Sequence, residues 1–134
     1  MQRSFQRELS SLAPLFEFAN EAAERYGFGE DVVFAVNLAI EEIFTNMVKY
    51  GGGQATISAA IEVRGRNVVV ELVHPGAVPF DVTAASHVDI SRPVDERVPG
   101  GIGLYLVHRV MDEVTYRHED GAARVTLRKL LGGS

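Results

Sequence analysis

Glu30-Asp31-Val32-Val33-Phe34-Ala35-Val36-Asn37-Leu38-Ala39-Ile40-Glu41-Glu42-Ile43-Phe44-Thr45-Asn46-Met47-Val48 is the stretch on which the fold turns. Val32, Val36, Ala39, Ile40, Ile43, Phe44, Met47 and Val48 recur at three- and four-residue spacing, which predicts one long helix with a wide apolar face. Glu30 and Asp31 suit its positive first turn, and Gly51-Gly52-Gly53 stops it. Downstream the period changes to two. Ile57, Ala59, Ile61 and Val63 alternate with more polar neighbours, Gly65-Arg66-Asn67 reads as a turn, and Val68 to Val73 reads as the return strand.

Upstream, residues 2–8 fit a short edge strand. Leu12, Leu15, Phe16, Ala19, Ala22 and Ala23 pattern a first helix, which Ser10 or Ser11 can cap and Gly27-Phe28-Gly29 breaks. Residues 75–99 have weak periodicity and hold four of the five prolines, so they read as a long loop, a feature usually functional or disordered in a small domain. Leu104, Val107, Val110 and Met111 pattern a third helix. Val114-Thr115-Tyr116 and Arg124 to Lys129 then read as strands around an Asp120-Gly121 turn. The sum is an α/β (α+β) fold over residues 1–134, read as a single domain. It is a two-layer sandwich whose mixed, mostly antiparallel sheet is covered on one face by three helices. The other sheet face is then polar or covered by a partner.

Composition narrows the function. With 46% hydrophobic and 23% charged residues the chain is globular rather than disordered. A net charge of −5 with no Lys/Arg block argues against direct nucleic-acid binding, which needs basic surface to neutralise phosphates. The absence of cysteine removes disulfides, thiolate zinc sites and cysteine nucleophiles, and suits a cytoplasmic setting. Met1-Gln2-Arg3-Ser4-Phe5 lacks the apolar core of a signal peptide, and no apolar run is long enough to span a membrane. His74, His87, His108 and His118 show no metal-ligand spacing and read as solvent-facing or structural.

Two segments carry candidate chemistry. Glu42 and Asn46 stand four residues apart, so both side chains share one helical face. A glutamate beside phosphates can accept a proton from an attacking hydroxyl, and an amide oxygen is a hard, neutral ligand for Mg²⁺ that also binds phosphate. The same pair also fits an ordinary solvated helix face. Glu41 points elsewhere on the helix. Lys49 can reach a phosphate or simply favour the helix C-terminus.

The second segment, Pro99-Gly100-Gly101-Ile102-Gly103-Leu104, opens a helix with backbone uncovered by side chains, which suits an anion seat and equally a hinge. It lacks the Gly-Lys-Ser/Thr ending of a Walker A loop. Arg97 just before it can stabilise transferring phosphate charge or pair with Asp95 or Glu96. Between the two lies His74-Pro75-Gly76-Ala77-Val78-Pro79-Phe80-Asp81, just past a strand. It reads as a turn in which Gly76 allows close approach to a flat ring.

In this order and spacing the three segments resemble the GHKL, or histidine-kinase-like, ATPase superfamily, and more closely the bacterial anti-sigma-factor serine/threonine kinases. Glu42-x-x-x-Asn46 is similar to that family's N box, Gly76 with Phe80-Asp81 to its first glycine box, and Gly100-Gly101-Ile102-Gly103-Leu104 to its second. Leu106, Met111-Asp112-Glu113-Val114 and Leu127-Arg128-Lys129 fit its helix–strand–strand ending. The resemblance implies a Bergerat-type ATP-binding fold, ATP and Mg²⁺ as cofactors, and a nucleotide lid at about 82–99. It implies Glu42 as general base for a protein Ser/Thr hydroxyl and Asn46 as Mg²⁺ ligand. Gly76 would lie under the adenine, with Lys49, His74, Phe80, Arg97, Gly100, Gly101, Ile102, Gly103 and Leu104 around the nucleotide. The implied partners are a sigma factor, a STAS-domain anti-anti-sigma protein and a second copy of the chain paired through the sheet.

One position departs from the family. The first glycine box normally opens with an aspartate, two residues before the glycine, that accepts a hydrogen bond from the adenine amino group. Here that position is His74, and one extra residue lies between Gly76 and Phe80. Losing such a hydrogen bond costs about 1–3 kcal/mol, roughly 5–150-fold in affinity. The alternative expectation is therefore a degenerate, regulatory partner-binding module without kinase activity. A third is the ATP-binding domain of a sensor histidine kinase whose phosphoacceptor segment is a separate subunit.

Overall fold

The structure, a computed structural model of the chain, describes residues 1–50, 56–77 and 101–131. In chain order it comprises β1 (Gln2–Gln6), α1 (Leu12–Tyr26), α2 (Glu30–Tyr50), β2 (Thr56–Arg64), β3 (Asn67–Pro75), α3 (Gly101–Val110), β4 (Glu113–Glu119) and β5 (Ala122–Leu130). The strands form one sheet in the order β1-β2-β3-β5-β4, and every pairing is antiparallel. The one-sided sandwich is thus the expected one, but the sheet expected as mixed is wholly antiparallel among the described residues.

Alternation sorts the sheet into two faces. Ile57, Ala59 and Ile61 on β2, Val68, Val70 and Leu72 on β3, and Val125 and Leu127 on β5 are buried on the same side. α1 packs on β2, α2 on β3 and β5, and α3 on β4, so the helices share that side. α2 fills the centre with Val32, Ala35, Val36, Ala39, Ile40, Ile43, Phe44 and Met47, the face its periodicity predicts. Burying each of the larger side chains contributes about 1.5–3 kcal/mol, which makes α2 the main anchor of the helical layer. The opposite face is mainly polar, with Ala60, Val69 and Val73 among its residues. It carries Ser58, Thr115 and Thr126, a Glu71–Arg124 pair at 2.7 Å, and Arg128 reaching Asn67 and Glu113.

Two local expectations change. Ser11 precedes α1 but makes no capping hydrogen bond. A 3₁₀ turn over Leu9–Ser11 leads into the helix, its backbone bonds replacing a side-chain cap. Phe18 joins the core although the spacing did not select it; its ring meets Phe5 of β1 edge-on at 5.9 Å, with the Arg3 guanidinium on it. The predicted break after α1 holds. Gly27 adopts φ +71°, a conformation glycine takes without strain, and Phe28 N–H donates to the Ala23 carbonyl.

Candidate functional site

The C-terminal half of α2 holds the first part of the site. Asn46 is buried, 5% exposed, and its Nδ2 donates to the Glu42 backbone carbonyl at 2.6 Å. A carbonyl only accepts, so this bond fixes which end of the amide is nitrogen. The other end, Oδ1, is buried and has no hydrogen-bond donor among the described residues. A buried acceptor left unmet costs about 1–3 kcal/mol. The chemistry that would satisfy it is a donor or a hard cation brought in with a ligand, and Mg²⁺ fits a neutral amide oxygen of this kind. Among the described residues no cluster of three or more His, Asp or Glu side chains holds a metal by itself. A cation here therefore needs further oxygens from its ligand.

Glu42 is half-buried on the same helix. Burial pushes its carboxyl above the ordinary value of 4.5, the charge of Glu41 pushes the same way, and Lys49 pulls it back in part. The result is a stronger base than an exposed glutamate. Lys49 and Glu41 are both exposed and act on Glu42 through charge. Arg7 Nη1 donates to the Val48 carbonyl at 2.8 Å and ties the last turns of α2 to the end of β1.

The second part lies at the exit of β3. The sequence places His74 just past a strand, but β3 continues through Pro75, so His74 is a strand residue. It is fully buried, 0% exposed, on the core face opposite Ala123. The turn begins at Gly76, whose φ of +71° disfavours any side chain, and Gly76 N–H donates to the Gly121 carbonyl at 2.6 Å. The third part is the start of α3. Gly101, Ile102 and Gly103 form its first turn, not a loop before it, and helix α3 packs on α2. The backbone N–H groups of a first helical turn lack internal partners and suit an anion. Leu104, read as a nucleotide neighbour, is buried in the core with Val107 and Met111. Phe80, Arg97, Gly100 and the expected lid at 82–99 lie outside the described residues, as do Gly51–Gly53.

Two features lie beyond the residues singled out from the sequence. His118 on β4 hydrogen-bonds the Ala77 carbonyl at 2.6 Å from 41 residues away. Phe34 on α2 is 65% exposed and borders an open groove with Phe16, Asn20, Asn37, Leu38 and Glu41. No local signal marks the first; the second follows from the helical period, which puts Phe34 off the buried face.

A one-sided α/β sandwich with a carboxylate–amide pair on its central helix and a glycine-opened helix beside it defines a class of nucleotide-binding domain. Comparison with known proteins places the chain within that class. It belongs to the histidine kinase-like ATPase domain family, whose profile matches residues 5–129. It is similar to the serine-protein kinase RsbW of Bacillus cereus (strain AH820) and of Bacillus anthracis (strain A0248). Each is 32% identical over 105 residues, covering 74% of this chain and 65% of the relative. The chain thus spans just under two thirds of the length of these relatives. Among solved structures, the RsbU and RsbW domains of Rv1364c from Mycobacterium tuberculosis superpose with a TM-score of 0.68 at 16% identity, over 98% of this chain and 31% of that one. Acinetobacter baumannii histidine kinase AdeS superposes at 0.55 with 10% identity, over 99% and 68%. Both agree with the fold. No helix among the described residues is long and apolar enough to cross a membrane.

Proposed function

We propose that the chain is an ATP-dependent serine/threonine-protein kinase that doubles as an anti-sigma factor in the cytoplasm. It would phosphorylate a STAS-type anti-anti-sigma protein and hold a sigma factor. The observation that carries this reading is the Glu42–Asn46 pair: a carboxylate raised by burial, one helical turn from a buried amide oxygen with no donor among the described residues. Membership of an ATPase domain family and likeness to proteins named serine-protein kinase support it.

In this reading Glu42 takes the proton of the acceptor Ser or Thr hydroxyl as its oxygen bonds to the γ-phosphorus of ATP. The bond from that phosphorus to the β,γ-bridging oxygen breaks and ADP leaves. Asn46 Oδ1 holds Mg²⁺, which neutralises phosphate charge when bound. Gly76 backs the base, and the first-turn backbone N–H groups at Gly101 and Gly103 meet the phosphates. Lys49 and Arg97 supply positive charge near the transferred group. The whole chain acts as one domain, residues 82–99 cover the nucleotide, and two copies pair through the polar sheet face.

His74 favours a second reading, a partner-binding module that has lost nucleotide turnover. Its imidazole sits fully buried where a carboxylate is expected. Calorimetric titration with ATP and ADP, with and without Mg²⁺, separates the two. Micromolar, Mg²⁺-dependent ATP binding that weakens in Asn46→Ala supports the kinase. Absence of binding up to millimolar ATP sinks it and leaves the module.

A further inference from the structure

We infer that His118 is a positioning residue for the nucleotide-base end of the site: its Nε2–H holds the Ala77 carbonyl and so fixes the Gly76 backbone as the surface on which a base ring lies. The inference rests on Gly76 being the base contact proposed above.

At Pro75 β3 leaves the ladder, and the next two residues lose the regular pairing that fixes strand backbone. Both are instead held by the β4–β5 hairpin. Gly76 N–H donates to the Gly121 carbonyl at 2.6 Å, and the Ala77 carbonyl lies 2.6 Å from His118 Nε2. The hairpin itself turns tightly at that end. Asp120 and Gly121 both have positive φ, 54° and 73°, the pattern of a tight two-residue turn that matches strand twist. The register sets His74, Ala123 and His118 in one row across β3, β5 and β4. His118 therefore reaches Ala77 from the same face on which His74 is buried. A carbonyl cannot donate, so Nε2 carries the proton in this bond whether the ring is neutral or charged. Ala77 is buried, although it has left the sheet. A binding surface of this kind has to hold its geometry to about 0.5 Å, which a glycine turn without side-chain contacts does not do alone.

The test measures ATP affinity with Mg²⁺ by calorimetry, and the melting temperature of the nucleotide-free chain, for wild type, His118→Ala and His118→Gln. The expected result is an ATP Kd about tenfold higher in His118→Ala, with a melting temperature within about 2 °C of wild type. His118→Gln, whose amide can still donate to Ala77, returns the Kd to within about threefold of wild type. Wild-type affinity in His118→Ala overturns the inference while leaving Gly76 as a base contact. A loss matched by a fall in melting temperature, or one that glutamine does not restore, also overturns it. Failure of the wild type to bind ATP removes the base contact and the inference together.

Discussion

On the open face of the sheet Glu71 meets Arg124 at 2.7 Å and Arg128 reaches both Asn67 and Glu113. On α2, Asn46 buries an amide oxygen to which no described group donates, and Glu42 is held half out of water beside another carboxylate. The first region places charges where solvent already satisfies them, and pairs them at small gain. The second places an amide oxygen where no described group donates to it, and a carboxylate where burial disfavours its charge, at a cost to stability. On the reading proposed above a ligand completes that arrangement, and the two regions should answer to substitution in opposite ways.

The largest effect is expected from Glu42. Replacement by glutamine should lower phosphoryl transfer to a STAS-type acceptor by about 10²–10⁴-fold, read with labelled ATP, because the proton acceptor is gone. The same variant should melt higher than wild type at neutral pH, since it removes a carboxylate that the fold disfavours in its ionised form. Transfer at the wild-type rate would end the role of Glu42 as base.

Asn46→Leu comes next. It should weaken Mg²⁺-dependent ATP binding by at least about tenfold in calorimetry. The nucleotide-free chain should keep or gain stability, because the unmet oxygen leaves with the amide. A drop in stability with unchanged ATP affinity would make Asn46 an ordinary core residue.

The pH response is smaller and its sign is fixed. The folded carboxyl of Glu42 holds its proton to higher pH than the unfolded chain's value of 4.5. Its favourable contribution to stability is therefore full below 4.5 and lost as pH rises through the folded value. Denaturant melts of wild type and Glu42→Gln across pH 4 to 7 should diverge upward in pH, with the glutamine variant the more stable at the top. Parallel curves would mean the carboxyl is not perturbed.

The smallest effect belongs to the sheet face. A double-mutant cycle on Glu71 and Arg124 should give a coupling of about 0.2–1 kcal/mol that shrinks with added salt. ATP affinity should not change. A large coupling, or a loss of ATP binding, would erase the contrast between the two regions.

Much of this was legible along the chain. The buried face of α2 and the alternation of β2, β3 and β5 follow from periods of 3.6 and 2. The shared face of Glu42 and Asn46 needs nothing but helical geometry. The Gly27 stop and the Asp120-Gly121 turn follow from residues that tolerate positive φ. The readings that changed depended on neighbours distant in sequence. Ser11 does not cap because a 3₁₀ turn already leads into α1, and Phe18 is core because β1 folds back onto it. Leu104 faces the core because α3 docks on α2, and His74 stays in the strand because β5 pairs it as far as Pro75.

The sequence by itself determined the elements, the apolar faces and the carboxylate–amide pair, because backbone geometry repeats at fixed spacing and sorts side chains locally. Only the tertiary structure decided the strand order β1-β2-β3-β5-β4, the burial of Asn46 Oδ1 away from every described donor and the hold of His118 on Ala77. Each of these depends on which distant segments pack together, and packing is set by the whole core rather than by any one stretch of chain.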